Sequence, residues 1–113
     1  MHENYINFEE GFKRLMSNKM LYKKLLLSHD SSNSTQAVID AIKTGDCDEI
    51  GRAAHTLKGA ALNLSLTAVA QVSGEIEQRA KNGEVAADLI EQITAATEGT
   101  TKAIQALIDS GAL

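Results

Sequence analysis

The chain has 113 residues and a mass of 12.1 kDa, enough for one domain over 1–113 and too short for a second independent core. Lys+Arg 11 against Asp+Glu 15 gives a formal net charge of -4 and a pI near 5.3, which is not the footprint of a nucleic-acid binder. With no Pro, no Trp and 4% aromatic residues against 43% hydrophobic, the core must be Leu, Ile, Val and Ala. That suits close-packed helices and leaves little to build an aromatic cage, a base-stacking platform or a large substrate pocket.

Helical periodicity runs along nearly the whole chain, and strand alternation is absent. Phe8, Phe12, Leu15 and Met16 make a short first stripe; Leu21 and Leu25 begin a second. The stretch Ser28 to Ser34 is locally loop-like, since its Ser, Asn and Asp side chains compete for backbone hydrogen bonds. Positions 21, 25, 28, 32, 35, 39 and 42 nevertheless keep a 4-3-4-3 spacing through it, which favours one long helix with a weak or bent middle. Thr44-Gly45-Asp46 reads as a helix stop followed by an N-cap at Asp46 or Asp48. Ile50, Ala54, Leu57, Ala61 and Leu64 form the next stripe. Asn63 to Thr67 punctuates, with Ser65 expected as N-cap. Leu66, Val69, Val72, Ile76 and Ala80 follow, and Asn82-Gly83 is a left-handed C-cap signal. Leu89, Ile93, Ala96, Ala103, Leu107 and Ile108 mark a last helix that carries its charge outward from Glu84 to Glu98. Short connections between helices imply an all-α, antiparallel up-down-up-down four-helix bundle with a short extra N-terminal helix.

Cys47 is the only cysteine, so no disulfide framework is expected and a reducing compartment suffices. Its neighbours Asp46 and Asp48 disfavour a reactive thiolate. Met-His-Glu-Asn-Tyr has neither a basic n-region nor an apolar h-region, so no signal peptide is expected. No apolar run approaches a membrane span. A cytoplasmic protein is the expectation.

One residue breaks the amphipathic pattern. At roughly 100° per residue, His55 points about 140° away from the Ile50–Leu64 stripe and so faces solvent. One turn before and after it stand Gly51 and Gly59; three residues before and after stand Arg52 and Lys58. Two glycines inside a helix cost about 2 kcal/mol against alanine, and the return is clearance for a partner to approach the imidazole. Flanking cations suit a nucleophile that will carry an anion, above all a phosphoryl group. The bland alternative is a surface histidine beside a lysine, with glycines used for close packing. No acid or base at i±4 completes a hydrolytic dyad within the helix. His2 and His29 lack partners at metal spacing, and Glu3, Glu9 and Glu10 read as N-terminal helix charges.

The string Ala54-His55-Thr56-Leu57-Lys58-Gly59-Ala60-Ala61-x-Asn63-Leu64 closely resembles the signature of histidine-containing phosphotransfer (HPt) domains. Phe8-Glu9-Glu10-Gly11-Phe12, and Asn18-Lys19 followed by Leu21-Tyr22, look like the family's opening helices. Ile76-Glu77 resembles its Leu/Ile-Glu/Gln pair on the helix after the histidine. The resemblance implies a phosphorelay intermediate that accepts a phosphoryl group on His55, through Nε2, from a receiver-domain aspartyl phosphate and passes it to another receiver aspartate. On that reading Lys58, with Arg52, stabilises the phosphoryl oxygens. Gly59, with Gly51, gives the receiver room, and Glu77 orients the imidazole; a surface glutamate is the alternative for Glu77. Receiver-docking candidates are Phe8, Phe12, Leu15 and Leu62, the alternatives being an aromatic lid on the bundle end for the two Phe residues and a partly buried helix end for Leu62. The chain departs from the family in having Leu62 where a small residue is common and Ser65 where glycine is common. No cofactor is expected on this chain, and Mg²⁺ is expected from the receiver. The implied partners are response-regulator receiver domains and a hybrid sensor histidine kinase, with no nucleic acid, no membrane and a monomeric state. The competing classes are a helical interaction module that carries no phosphate and a domain appended to its own kinase.

Overall fold

The computed structural model describes residues 5–7, 9–10, 19–28 and 31–111. Among these residues the chain is all-helical, without strands: α1 Lys19–Ser28, α2 Ser31–Thr44, α3 Cys47–Asn63, α4 Thr67–Lys81 and α5 Ile90–Asp109, with a 3-10 turn at Ala87–Leu89 leading into α5. The helix expected over Phe8–Met16 lies outside the described residues except for 9 and 10, both helical. The continuous helix through Ser28–Ser34 rests on residues 29 and 30, which also lie outside them. On either side α1 runs to Ser28 and α2 starts at Ser31.

The helices α2 to α5 pack in a closed ring, α2 on α3, α3 on α4, α4 on α5 and α5 back on α2. Burial follows the expected stripes most closely on α3, where Ile50, Ala54, Leu57 and Ala61 are 0% exposed. On α1 the buried side chains are Tyr22 and Leu26, one position after the expected Leu21 and Leu25, whose side chains are not among those described. Burying a side chain such as Leu57 contributes roughly 1.5–3 kcal/mol.

The core is more polar than the sequence pattern implies. Thr35, Ser73, Thr97 and Thr100 are buried, and each is satisfied. The hydroxyls of Thr35 and Thr97 share a hydrogen bond of 2.6 Å between α2 and α5. Ser73 and Thr100 donate to the carbonyls of Val69 and Ala96, one turn back. Buried hydroxyls so paired escape the 1–3 kcal/mol penalty of an unmet polar group.

Helix α3 carries the candidate histidine, and its two ends are well fixed. At the start, the Asp46 carboxylate accepts from the backbone N–H groups of Asp48 and Glu49, while Asp48 and Glu49 oppose the positive end of the helix dipole. At the other end Ser65 sits at φ 58, its N–H donating to Leu62 O and the N–H of Leu66 to Ala61 O. That is a Schellman ending with serine in the left-handed position usually taken by glycine. Ser65 is therefore not the N-cap of the next helix: Leu66 precedes α4 and makes no side-chain cap bond. Two further contacts hold this corner. The Tyr22 hydroxyl donates to Leu64 O at 2.9 Å, and the Asn7 N–H donates to Ser65 O at 2.8 Å. α4 ends in the same way at Gly83, φ 77. α5 begins at Ile90, later than the Glu84 start expected from the charge pattern. In between, Arg79 Nη1 donates to both oxygens of Asp88 at 2.7 and 2.8 Å and ties the connection to α4.

Candidate functional site

His55 lies in the middle of α3 on the side opposite Leu57 and Ala54, and its side chain is 70% exposed. The ring is nevertheless fixed. Its Nδ1 lies 2.7 Å from Oε2 of Glu77, which reaches across from α4 and whose side chain is only 7% exposed. The other oxygen, Oε1, lies 2.6 Å from Lys58 Nζ, and Lys81 Nζ stands 3.9 Å from Oε2. Glu77 is thus a buried carboxylate facing three basic side chains and is not a surface glutamate.

The hydrogen bond from Lys58, followed by that from His55, holds the Glu77 carboxyl below its ordinary value against the opposing effect of burial. An ionised carboxylate only accepts hydrogen bonds. The proton between Glu77 and His55 therefore belongs to Nδ1, and in the neutral imidazole the lone pair is on Nε2. The geometry leaves a solvent-accessible nitrogen nucleophile in one tautomer, with its orientation set by a neighbouring helix.

Small residues shape the ground around it. A Cβ placed at Gly59 meets nothing within 4 Å, so the turn after His55 is open to an approaching surface. Gly51 differs: its missing Cβ faces Ala80 Cβ at 3.8 Å, and it lies in the contact between α3 and α4. Together Gly51 and Ala80 floor a cleft of about 360 Å³ on the N-terminal side of His55, with Arg52 and Lys81 among its walls. Arg52 is exposed and, among the described residues, has no ion-pair partner. Leu62 is 51% exposed, two turns beyond His55 on the same helix. Phe8, Phe12 and Leu15 lie outside the described residues.

The site includes two residues that the sequence reading passed over. Gly74 on α4 leaves room for the Lys58 stem, since a Cβ there would stand 3.3 Å from Lys58 Cδ. Lys81, one helical turn after Glu77, adds a cation on the cleft wall. Their spacing from Glu77, three residues before and four after, is the available signal: both share its helix face.

Among the described residues no group of three or more His, Cys, Asp or Glu could hold a metal ion, and no helix is long and apolar enough to cross a membrane. A family model described as Hpt domain matches residues 26–109. No curated protein and no solved structure shows a significant match.

Proposed function

Because this chain belongs to the Hpt domain family, whose members serve histidine phosphotransfer in phosphorelays, we propose that His55 is its phosphoacceptor, on an antiparallel up-down-up-down bundle. The observation that carries this reading is the exposed imidazole whose Nδ1 is engaged by a buried carboxylate at 2.7 Å, leaving Nε2 as the nucleophile.

The Nε2 lone pair attacks the phosphorus of an aspartyl phosphate on a receiver domain, in line with the P–O bond to the acyl oxygen. That bond breaks, and its electron pair leaves with the aspartate carboxylate. The onward step is the reverse, with a second receiver's aspartate as attacking group. Phosphoryl transfer asks mainly for positioning and charge neutralisation. Glu77 positions the ring. Arg52, three residues before His55 and free of an ion pair among the described residues, faces the phosphoryl oxygens, while Lys58, three residues after it, adds its charge from where Glu77 Oε1 holds it at 2.6 Å. The receiver would bring Mg²⁺, whose charge would help to neutralise those oxygens. The open ground at Gly59 and the cleft floored by Gly51 admit the receiver, and Leu62 offers it an apolar contact. The chain is half of an active site and has no turnover of its own. It works in the cytoplasm as a monomer between receiver domains and a hybrid sensor kinase.

The test is to mix the chain with a phosphorylated receiver and follow acid-labile phosphate. Label should move to the chain and be absent from His55→Gln. Label that reaches no chain from any cognate receiver overturns the reading in favour of a phosphate-free docking module, and label retained by His55→Gln overturns the site.

A further inference from the structure

The two oxygens of Glu77 have separate partners, Oε1 on Lys58 at 2.6 Å and Oε2 on His55 Nδ1 at 2.7 Å. From this geometry we infer that Glu77 keeps the Nδ1 proton on the ring after Nε2 is phosphorylated, so that phospho-His55 persists as an N-phosphoimidazolium: a strong, short-lived donor rather than a stable store. The inference rests on His55 being the phosphorylated residue.

When the Nε2 lone pair forms the bond to phosphorus, Nδ1 already carries a proton, and the product ring bears one positive charge. In water such a ring sheds that proton to become neutral. Here, shedding it would bring the bare Nδ1 lone pair against a carboxylate oxygen at 2.7 Å, two acceptors with nothing between them. Keeping it makes a charge-assisted hydrogen bond between imidazolium and carboxylate. The consequence falls on the onward step. As an aspartate oxygen attacks phosphorus, the Nε2–P bond breaks and its electron pair returns to Nε2. With Nδ1 protonated, the leaving group is a neutral imidazole; without that proton it would be an imidazolate, a far poorer leaving group. No proton moves in either direction.

The charged groups around the ring come from the two helices that line the cleft. Asp48, Arg52 and Lys58 stand on α3, and Glu77 and Lys81 on α4. The cations oppose a protonated ring, but Lys58 is matched by Oε1, and Lys81 stands back at 3.9 Å from Oε2. The phosphoryl group, carrying close to two negative charges, also favours the proton. A glutamine at this position would hold neither state. Turned one way its amide accepts from Nδ1–H, and turned the other it donates to bare Nδ1.

The full chain and Glu77→Gln are phosphorylated with phosphoramidate, so that no receiver is involved. The ring ¹⁵N shifts of phospho-His55 and the decay of the phosphohistidine are then followed against pH. The expected result is an Nδ1 titration midpoint about one unit or more higher in the wild type than in Glu77→Gln, with phosphohistidine lost several-fold faster in the wild type at pH 8. Equal midpoints, a bare Nδ1 in the wild type at neutral pH, or phosphorylation on Nδ1 or not on His55 at all overturn the inference. Should Glu77→Gln not fold, the wild-type ring spectrum decides alone. A chain that reports a protonated ring here but takes no label from any receiver sinks the proposed function and leaves this chemistry standing.

Discussion

Gly59→Ala separates what the fold wants from what a partner wants. The glycine lies in the interior of α3, and a Cβ there meets nothing within 4 Å. The substitution adds no clash and brings alanine's helix propensity, together with a less flexible unfolded chain, a gain of about 1 kcal/mol. For a domain of this size that corresponds to a rise in Tm of roughly 3–6 °C. The added methyl stands one turn from His55, where, on the proposed function, a receiver closes on the ring. Thermal unfolding by circular dichroism should therefore show a more stable protein, and transfer from a phosphorylated receiver should be slower by tenfold or more. A variant that is less stable refutes the open ground at Gly59. A variant that is more stable and equally fast refutes the claim that the glycine serves the partner. Two companions calibrate the series. Gly51→Ala places its Cβ in ordinary contact with Ala80 and should also stabilise, whereas Gly99→Ala drives a Cβ into the ring of Tyr5 and should destabilise.

Three further outcomes follow from the same geometry. The buried Tyr22 phenol is pushed up to about 12, first by burial and then by Glu10. Its protonated form is favoured in the fold, so its contribution is whole below pH 10 and is lost as pH rises towards 12, about 2–3 kcal/mol in all. Tyr22→Phe should lose about 1 kcal/mol at neutral pH, the bond to Leu64 O, and should flatten that alkaline limb in denaturant titrations. Glu77 is lowered, so the stability it contributes is present above its unfolded value near 4.5 and is lost as pH falls through the folded one; acid unfolding of Glu77→Gln should be shallower there. Ser65→Gly relieves a serine at φ 58 and gives up the Ser65 hydroxyl bond to Glu10 Oε1 at 3.2 Å. A net gain of up to about 1 kcal/mol in urea unfolding is expected, and a loss would show that the hydroxyl outweighs the strain.

Where apolar spacing was unambiguous, the sequence was enough. The stripe of α3 reads directly as its buried face, and with it the outward direction of His55. Asp46 could be expected to cap the same helix, because a short acceptor before a run of helix formers has little else to do. Legibility failed where structure depends on a non-local partner. Nothing in the Glu77 neighbourhood says that it is buried, because its burial depends on Lys58 and His55 arriving from another helix at 2.6 and 2.7 Å. Gly74 carries no signal in the apolar spacing, and only the Lys58 stem lying against it gives it a purpose. Ser65 is not legible as a helix end because a hydroxyl near a helix start suggests an N-cap, whereas here the preceding helix needs a left-handed residue to close its Schellman ending. The burial of Thr35 agrees with the α2 spacing, which passes through position 35; the spacing does not give its partner, the Thr97 hydroxyl of α5 at 2.6 Å.

The central claim is that His55 takes and gives a phosphoryl group through Nε2. It is tested most directly by phosphorylating the chain from a receiver aspartyl phosphate, locating the phosphorus on the ring by NMR, and adding an unphosphorylated second receiver. Phosphorus on Nε2 of His55, discharged when the second receiver is added, is the predicted result. Phosphorus on another residue or on Nδ1, or none on the chain at all, contradicts the account.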